Sequence, residues 1–159
     1  MEKTENGTNK SISFSLLEIK KTRFYQSNYL DFGLSKEDVL KGNLKIDVNF
    51  ELSPNEETIS LFLKLDFCHT DHELFGIETV HKYKIKDFKN AIQYDENKTF
   101  NIPDEIMKLW IGIAISDTRG MLVILNSDSD YSRITLPLIN LDAFLRSIKK
   151  SMKMEQSSE

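Results

Sequence analysis

The densest run of reactive side chains in this 159-residue sequence is Cys68-His69-Thr70-Asp71-His72. A zinc site needs four ligands that converge on one point. Cys68 and His69 are adjacent at the end of an alternating segment, so their side chains point to opposite faces. No second ligand pair stands elsewhere to complete a metal-binding spacing, and His81 is the one other imidazole that could approach. A Cys68–His nucleophilic pair meets a similar objection, because no acid is fixed to orient the base. A cysteine at a strand end before a turn reads instead as a small packed residue.

His81 shares an apolar alternation with Phe75, Ile77, Tyr83 and Ile85, which predicts a hydrogen-bonded core histidine rather than a general base. The six scattered glycines form no phosphate-cradling loop. Glu56-Glu57 and Asp128/Asp130 lie in polar turn segments, where carboxylates are solvated. The sequence therefore predicts no catalytic residue, no metal, no cofactor and no enzyme activity. Arg119 stands apart, as a cation in the second half of a largely apolar helix. If buried it needs a partner. Asp117 is too near in sequence to face it along a helix, so the expected partner is a distant acid or the backbone carbonyls of Leu136–Asn140. Gly120, beside it, reads as a close-packing site.

Three alternating segments supply the frame for these residues. In Leu44–Leu52, residues Leu44, Ile46, Val48, Phe50 and Leu52 face one way and Lys45, Asp47, Asn49 and Glu51 the other, the pattern of a strand with one buried face. Thr58–Cys68 repeats it, with Phe62 interrupting the polar side. Phe75–Phe88 is the third, with Glu78, Val80, Lys82, Lys84 and Lys86 on its polar side. Short links, including Ser53-Pro54-Asn55-Glu56, predict an antiparallel meander. Leu16–Phe24 is a further strand of the same sheet. Between it and the meander runs a long connection, Asn28–Asn43, in which Ser35 is placed to cap a short helical turn over Lys36–Leu40. Ala91–Asn101 reads as a polar, irregular connection.

Pro103, Asp104 and Glu105 then mark a helix start. The apolar residues that follow fill most of the helix circumference. Ile106, Leu109, Trp110 and Ile113 recur at helical spacing, and Met107, Ile111, Ala114 and Ile115 occupy much of the rest, as expected of a helix covered on more than one side. It ends either at Gly120 or, capped in the left-handed conformation, at Asn126. After a polar loop over Ser127–Ser132, Pro137 requires extended backbone before it. Asn140 caps a short helix whose stripe is Leu141, Phe144, Leu145, Ile148 and Met152. Strands first and helices after is an α+β layout: a four-stranded antiparallel sheet, then a long helix and a short C-terminal helix on one face. The organisation is a flexible tail over residues 1–11, one domain over 12–152 and a polar tail over 153–159.

The bulk numbers agree with a soluble, cytoplasmic chain. The hydrophobic fraction is 40%, the charged fraction 29% and the net charge −4, which gives none of the basic footprint nucleic acid needs. The N-terminus carries no apolar signal core, no apolar run reaches the ~18–20 residues of a membrane span, and one cysteine forms no intrachain disulfide.

Thr118-Arg119-Gly120, Leu136-Pro137-Leu138-Ile139-Asn140 and Leu141-Asp142-Ala143-Phe144-Leu145, together with Tyr83-Lys84-Ile85-Lys86-Asp87-Phe88 upstream and Pro103 at the helix start, resemble the SecB family of export chaperones in order and spacing from about Ile12 to Met152. The resemblance implies four antiparallel strands before a long helix, and an ATP-independent holdase for unfolded polypeptide. It also implies a homo-oligomer, dimer or tetramer, with the long helices at the interface. In this chain Met107, Trp110, Ile111 and Ala114 are the residues expected there. The family's apolar grooves lie between the loop after the first strand and the loop joining the helices, which points to Tyr29, Phe32, Leu34, Leu136 and Leu138 as polypeptide contacts. Arg119, Gly120, Pro137 and Asn140 are expected to be structural. The export chaperones dock the translocase motor with acidic residues on the outer sheet face, where this chain offers Lys82, Lys84 and Lys86 with Glu78. Partnership with the motor thus stands beside the alternative of relatives that serve toxin–antitoxin systems, in which the chain would serve one dedicated partner. A third reading is a small-molecule cup formed by the sheet around the long helix.

Overall fold

The computed structural model describes residues 12–94 and 100–156. The expected N-terminal tail lies outside the described residues, as do residues 157–159. Strands β1 (Phe14–Gln26), β2 (Asn43–Ser53), β3 (Thr58–His69) and β4 (His72–Ile85) form one sheet in the order β1-β4-β3-β2. Every pairing in it is antiparallel, so the architecture is α+β as the patterning requires. The fourth strand begins and ends three residues earlier than the alternation suggests. Its N-terminal end is set by a tight turn, Thr70-Asp71, between the paired residues His69 and His72, with Thr70 at a φ of 52°. Its C-terminal end is set by Asp87, also left-handed at 55°, after which Phe88–Ala91 forms one helical turn, α2. Ile92 is then buried. The connection expected to be irregular carries a two-residue ladder, β5 (Gln93–Tyr94) with β6 (Phe100–Asn101).

The connection after β1 is also more ordered than its composition suggests. Tyr29–Phe32 forms a 3₁₀ turn, and Lys36–Leu40 forms helix α1 with the Ser35–Asp38 capping box in place. That box holds the Asp38 carboxyl below its usual range.

Helix α3 spans Asp104–Leu125, passing Gly120 without a break. Asn126 caps it in right-handed rather than left-handed backbone, its N–H donating to the Leu122 carbonyl at 2.9 Å. Helix α4 spans Leu141–Gln156. It begins with Asn140 Oδ1 accepting from the Ala143 N–H at 3.0 Å and continues beyond Met152. It lies antiparallel to α3, pinned by Lys108–Asp142 at 2.6 Å and by Lys149–Asp104.

The core sits between the sheet and α3. Ile59, Leu61, Leu65, Ile77, Tyr83 and Ile85 are fully enclosed, each aliphatic side chain worth about 1.5–3 kcal/mol in burial. The Tyr83 and Trp110 rings stack at 5.0 Å, and Phe14 meets the indole edge-on at 5.4 Å. Next to them, Thr79 and Thr118 share a hydrogen bond of 2.9 Å. These small hydroxylated side chains, with Ala114, let the helix approach the sheet closely.

The phase of α3 corrects the interface expectation. Met107, Trp110, Ile111 and Ala114 are all buried inside this chain. The opposite face, Leu109, Gly112, Ile113, Ser116 and Gly120, is the one partly or fully open. A helix apolar nearly all round carries no hydropathic signal for its rotation. Here the rotation is set by the Thr79–Thr118 contact and the Trp110–Tyr83 stack.

Candidate binding site at the loop end of the sheet

The two connections singled out in the sequence meet at one end of the sheet. Tyr131, the lone aromatic of a polar loop, donates its hydroxyl to the Ser27 carbonyl at 2.5 Å. Gln26 Nε2 donates to Asn126 Oδ1 at 2.6 Å, so the end of β1 is tied to the end of α3. Tyr29 and Tyr131 pack edge to face at 6.4 Å, and Phe75 continues the cluster 5.0 Å from Tyr131. At the rim Lys36 faces Asp130 at 3.8 Å, an exposed pair of small energetic weight. Burial and the neighbouring Asp130 push the Tyr131 phenol upward from its ordinary pKa, so its proton stays available to Ser27.

The five residues expected to contact polypeptide divide into two groups. Tyr29 and Leu136 are 5% and 8% exposed and belong to the core rather than to a free surface. A ring or isobutyl group at the junction of two tied loops is swallowed by the junction. Leu34 is half-buried. Phe32 is 37% exposed and lies flat on the His72 imidazole at 4.5 Å. Leu138 is 90% exposed, in the stretch without regular secondary structure between α3 and α4. Leu30, Val123 and Ile124 are also open to solvent at 62%, 70% and 73%. Alternation and helical spacing do not single them out. Position on the outer turn of an amphipathic element is the only signal they carry, and many single exposed aliphatics share it.

Arg119 lies at the centre of the junction. Its Nη2 donates to the Leu136 carbonyl at 2.7 Å, which joins α3 to the extended segment that Pro137 requires. Among the described residues no carboxylate lies within ion-pair distance of the guanidinium. Beside it is a cavity of about 220 Å³ whose walls include Leu122, Asn126, Ile134, Thr135 and Leu136. Gly120 is not a close-packing site within this chain. A Cβ added there meets nothing within 4 Å, whereas one at Gly112 comes within 3.1 Å of Leu141 Cδ1.

The remaining candidates for chemistry are placed by the sheet. Cys68 is buried, and that burial raises the pKa of its thiol, which disfavours the thiolate a nucleophile needs. His69 and His72 face each other across the hairpin. The described residues include no group of three or more potential metal ligands. His81 departs from expectation. It is fully buried, yet neither ring nitrogen has a hydrogen-bond partner. Its nearest charge is Asp117, 3.7 Å from Nε2. Burial lowers the pKa of the imidazole, and Asp117 opposes this more weakly. The outer-sheet lysines are engaged by the β2–β3 turn, Lys82 with Glu56 at 2.5 Å and Lys84 with Glu57 at 3.2 Å.

No family model matches the sequence, and the comparison with curated proteins gives no match. Among solved structures, a protein of unknown function from Streptococcus agalactiae is similar at 10% identity, with 81% of this chain and 98% of that chain covered and a TM-score of 0.42. Among the described residues no helix is long and apolar enough to cross a membrane.

Proposed function

We propose that this protein is a SecB-like, ATP-independent holdase, capturing apolar segments of unfolded polypeptide at the loop end of the sheet and working as a homo-oligomer. One observation carries the reading. The end of β1 and the connection after it are stitched to the end of α3 and the α3–α4 connection by Tyr131–Ser27 and Gln26–Asn126, and Arg119–Leu136 ties the latter connection to α3, while Leu30, Phe32 and Leu138 on those same connections stay open. A rigid frame holding exposed apolar side chains lowers the entropic cost of binding, and each segment of client that covers them gains ~25 cal/mol per Å² before ordering costs. Assembly would use the open face of α3, where Gly112, Ser116 and Gly120 recur every four residues beside Leu109 and Ile113.

The test is aggregation suppression of several chemically denatured proteins, with particle mass measured by light scattering in the same samples. We expect suppression without nucleotide by a dimer or tetramer, weakened severalfold by the double substitution Phe32→Ser with Leu138→Ser. Absence of suppression by an assembled oligomer would refute the holdase reading. Tight binding of a single protein, with denatured clients ignored, would favour a dedicated partner of the toxin–antitoxin kind.

A further inference from the structure

The cavity beside Arg119 combines two properties seldom found together at a structural junction. Its guanidinium has five N–H donors and spends one, at Nη2, on the Leu136 carbonyl. No carboxylate among the described residues neutralises it. The acids of the adjoining loop do not serve: neither Asp128 nor Asp130 lines the cavity, and Asp130 faces Lys36. Asn126 accepts from Gln26 through Oδ1, so its amide N–H₂ remains a donor, and the Thr135 hydroxyl is a further polar group on the wall. Tyr131 and Ser132 also line it, so the wall is mixed, with Leu122, Ile134 and Leu136 supplying its apolar side. The volume, about 220 Å³, falls below the ~300–1,000 Å³ of typical cofactor and drug-sized sites. It is the size for one aliphatic group, not for a ring system with substituents.

We propose that this cavity binds a carboxylate carried on a single branched aliphatic group, with Arg119 holding the carboxylate and Leu122, Ile134 and Leu136 enclosing the aliphatic part. Two sources present this chemistry: the C-terminal residue of a polypeptide and a free short-chain carboxylic acid. The polypeptide source rests on the holdase reading and extends it to chain termini; the cavity and its charge stand without it. Arg–carboxylate pairs are the strong class of hydrogen bond, commonly forked, and gain further in a site partly shielded from water. An amide in the same place would offer Arg119 no charge and no second equivalent oxygen.

The experiment is calorimetric titration of the full chain with three probes: a pentapeptide ending in leucine with a free carboxylate, the same peptide amidated, and 4-methylpentanoate. The free-acid peptide should bind at least about tenfold more tightly than the amide, the size of one charge-assisted contact. Binding of 4-methylpentanoate as tight as that of the peptide assigns the site to free acids, and a clear preference for the peptide assigns it to chain termini. Arg119→Gln should erase the acid–amide difference. Because that change also cuts the tether to Leu136, Ile134→Trp, which fills the cavity and spares the tether, provides the independent check and should abolish acid binding in a folded protein. Equal affinity for acid and amide peptides overturns the proposal, as does undiminished acid binding by folded Ile134→Trp. Aggregation suppression that is unaffected when the client's C-terminus is amidated removes the chain-terminus assignment and leaves the holdase reading. Acid binding without any suppression does the reverse.

Discussion

The two faces of α3 are built on opposite rules. The inner face sets small Ala114 and Thr118 between large Met107, Trp110 and Leu122, all buried and fitted to β3 and β4. The outer face repeats small residues, Gly112, Ser116 and Gly120, between exposed or half-exposed aliphatics. Gly120 has only open space where a Cβ would be. The inner face fixes one sheet and one rotation. Gly112 lets Leu141 of α4 pack against the start of the outer face, Ser116 and Gly120 stay exposed, and each glycine costs about 1 kcal/mol of helix propensity relative to alanine. Opposing demands on one helix explain why its sequence is apolar nearly all round, and they separate what stabilises the fold from what the fold presents.

The largest effect tests the inner rule. Trp110 is fully enclosed, stacks on Tyr83 and meets the edge of Phe14. Trp110→Ala should cost about 3–5 kcal/mol, the range for large-to-small changes in a core, measured as a shift in the urea midpoint at constant slope. Leu109→Ala, one residue away on the outer face, should change the stability of the monomer by less than about 1 kcal/mol. Similar losses at the two positions would contradict the division.

A smaller effect probes an unpaired polar side chain of β4 beneath the inner face, where the Trp110 Nε1 also lacks a partner. His81 is packed between Ile19 of β1, Leu61 of β3 and Asp117 of α3, with no partner for either nitrogen. Leaving a buried polar group unpaired is costly, and charging it costs more. Its pKa is therefore lower in the folded chain than the ~6.5 of an unfolded histidine. Above that value both states are neutral and the group contributes no pH dependence. As pH falls below about 6.5 the unfolded chain takes up the proton first, and stability declines until the folded pKa is passed, at up to ~1.4 kcal/mol per pH unit for one proton. Urea unfolding of the wild type and of His81→Leu between pH 5 and 8 should show this acid-side slope in the first and a flatter profile in the second. Parallel profiles would mean that His81 is hydrogen-bonded in solution.

What the sequence made legible follows from period. The strands of the meander and their faces are set by strict two-residue alternation, and Ser35 and Asn140 announce helix starts through the geometry of their own side chains. The rotation of α3 was not legible, because the apolar residues between Ile106 and Ile115 occupy most of the circumference and give no clear phase. Trp110 and Leu109 look equally suited to the core until Thr118 meets Thr79. The loop junction was half legible. The need of Arg119 for a partner, a distant acid or a loop carbonyl, follows from its place on an apolar helix, and the Leu136 carbonyl supplies one. Tyr131 gave no comparable warning, since a lone aromatic between serines and aspartates acquires meaning only when Ser27, 104 residues away, arrives beneath its hydroxyl. The orphan nitrogens of His81 lay beyond pattern reasoning, which places a side chain on a face but does not count its hydrogen bonds.

The smallest effect is the sharpest test of the outer rule, because its sign depends on whether the face is free. In a monomer Gly120→Ala adds a methyl group to open space at a helical position and should stabilise by about 1 kcal/mol through helix propensity alone. If a second copy lies against this face, the same methyl group enters a close helix–helix contact. Assembly should then weaken while the isolated monomer gains. The two outcomes separate in one dilution series of wild type and variant, with mass read by light scattering and stability read by urea at each concentration. A concentration-independent gain with unchanged mass would show that the small residues of α3 serve no contact. A lower mass, with stability gained only at high dilution, would place the partner's helix against Gly112, Ser116 and Gly120.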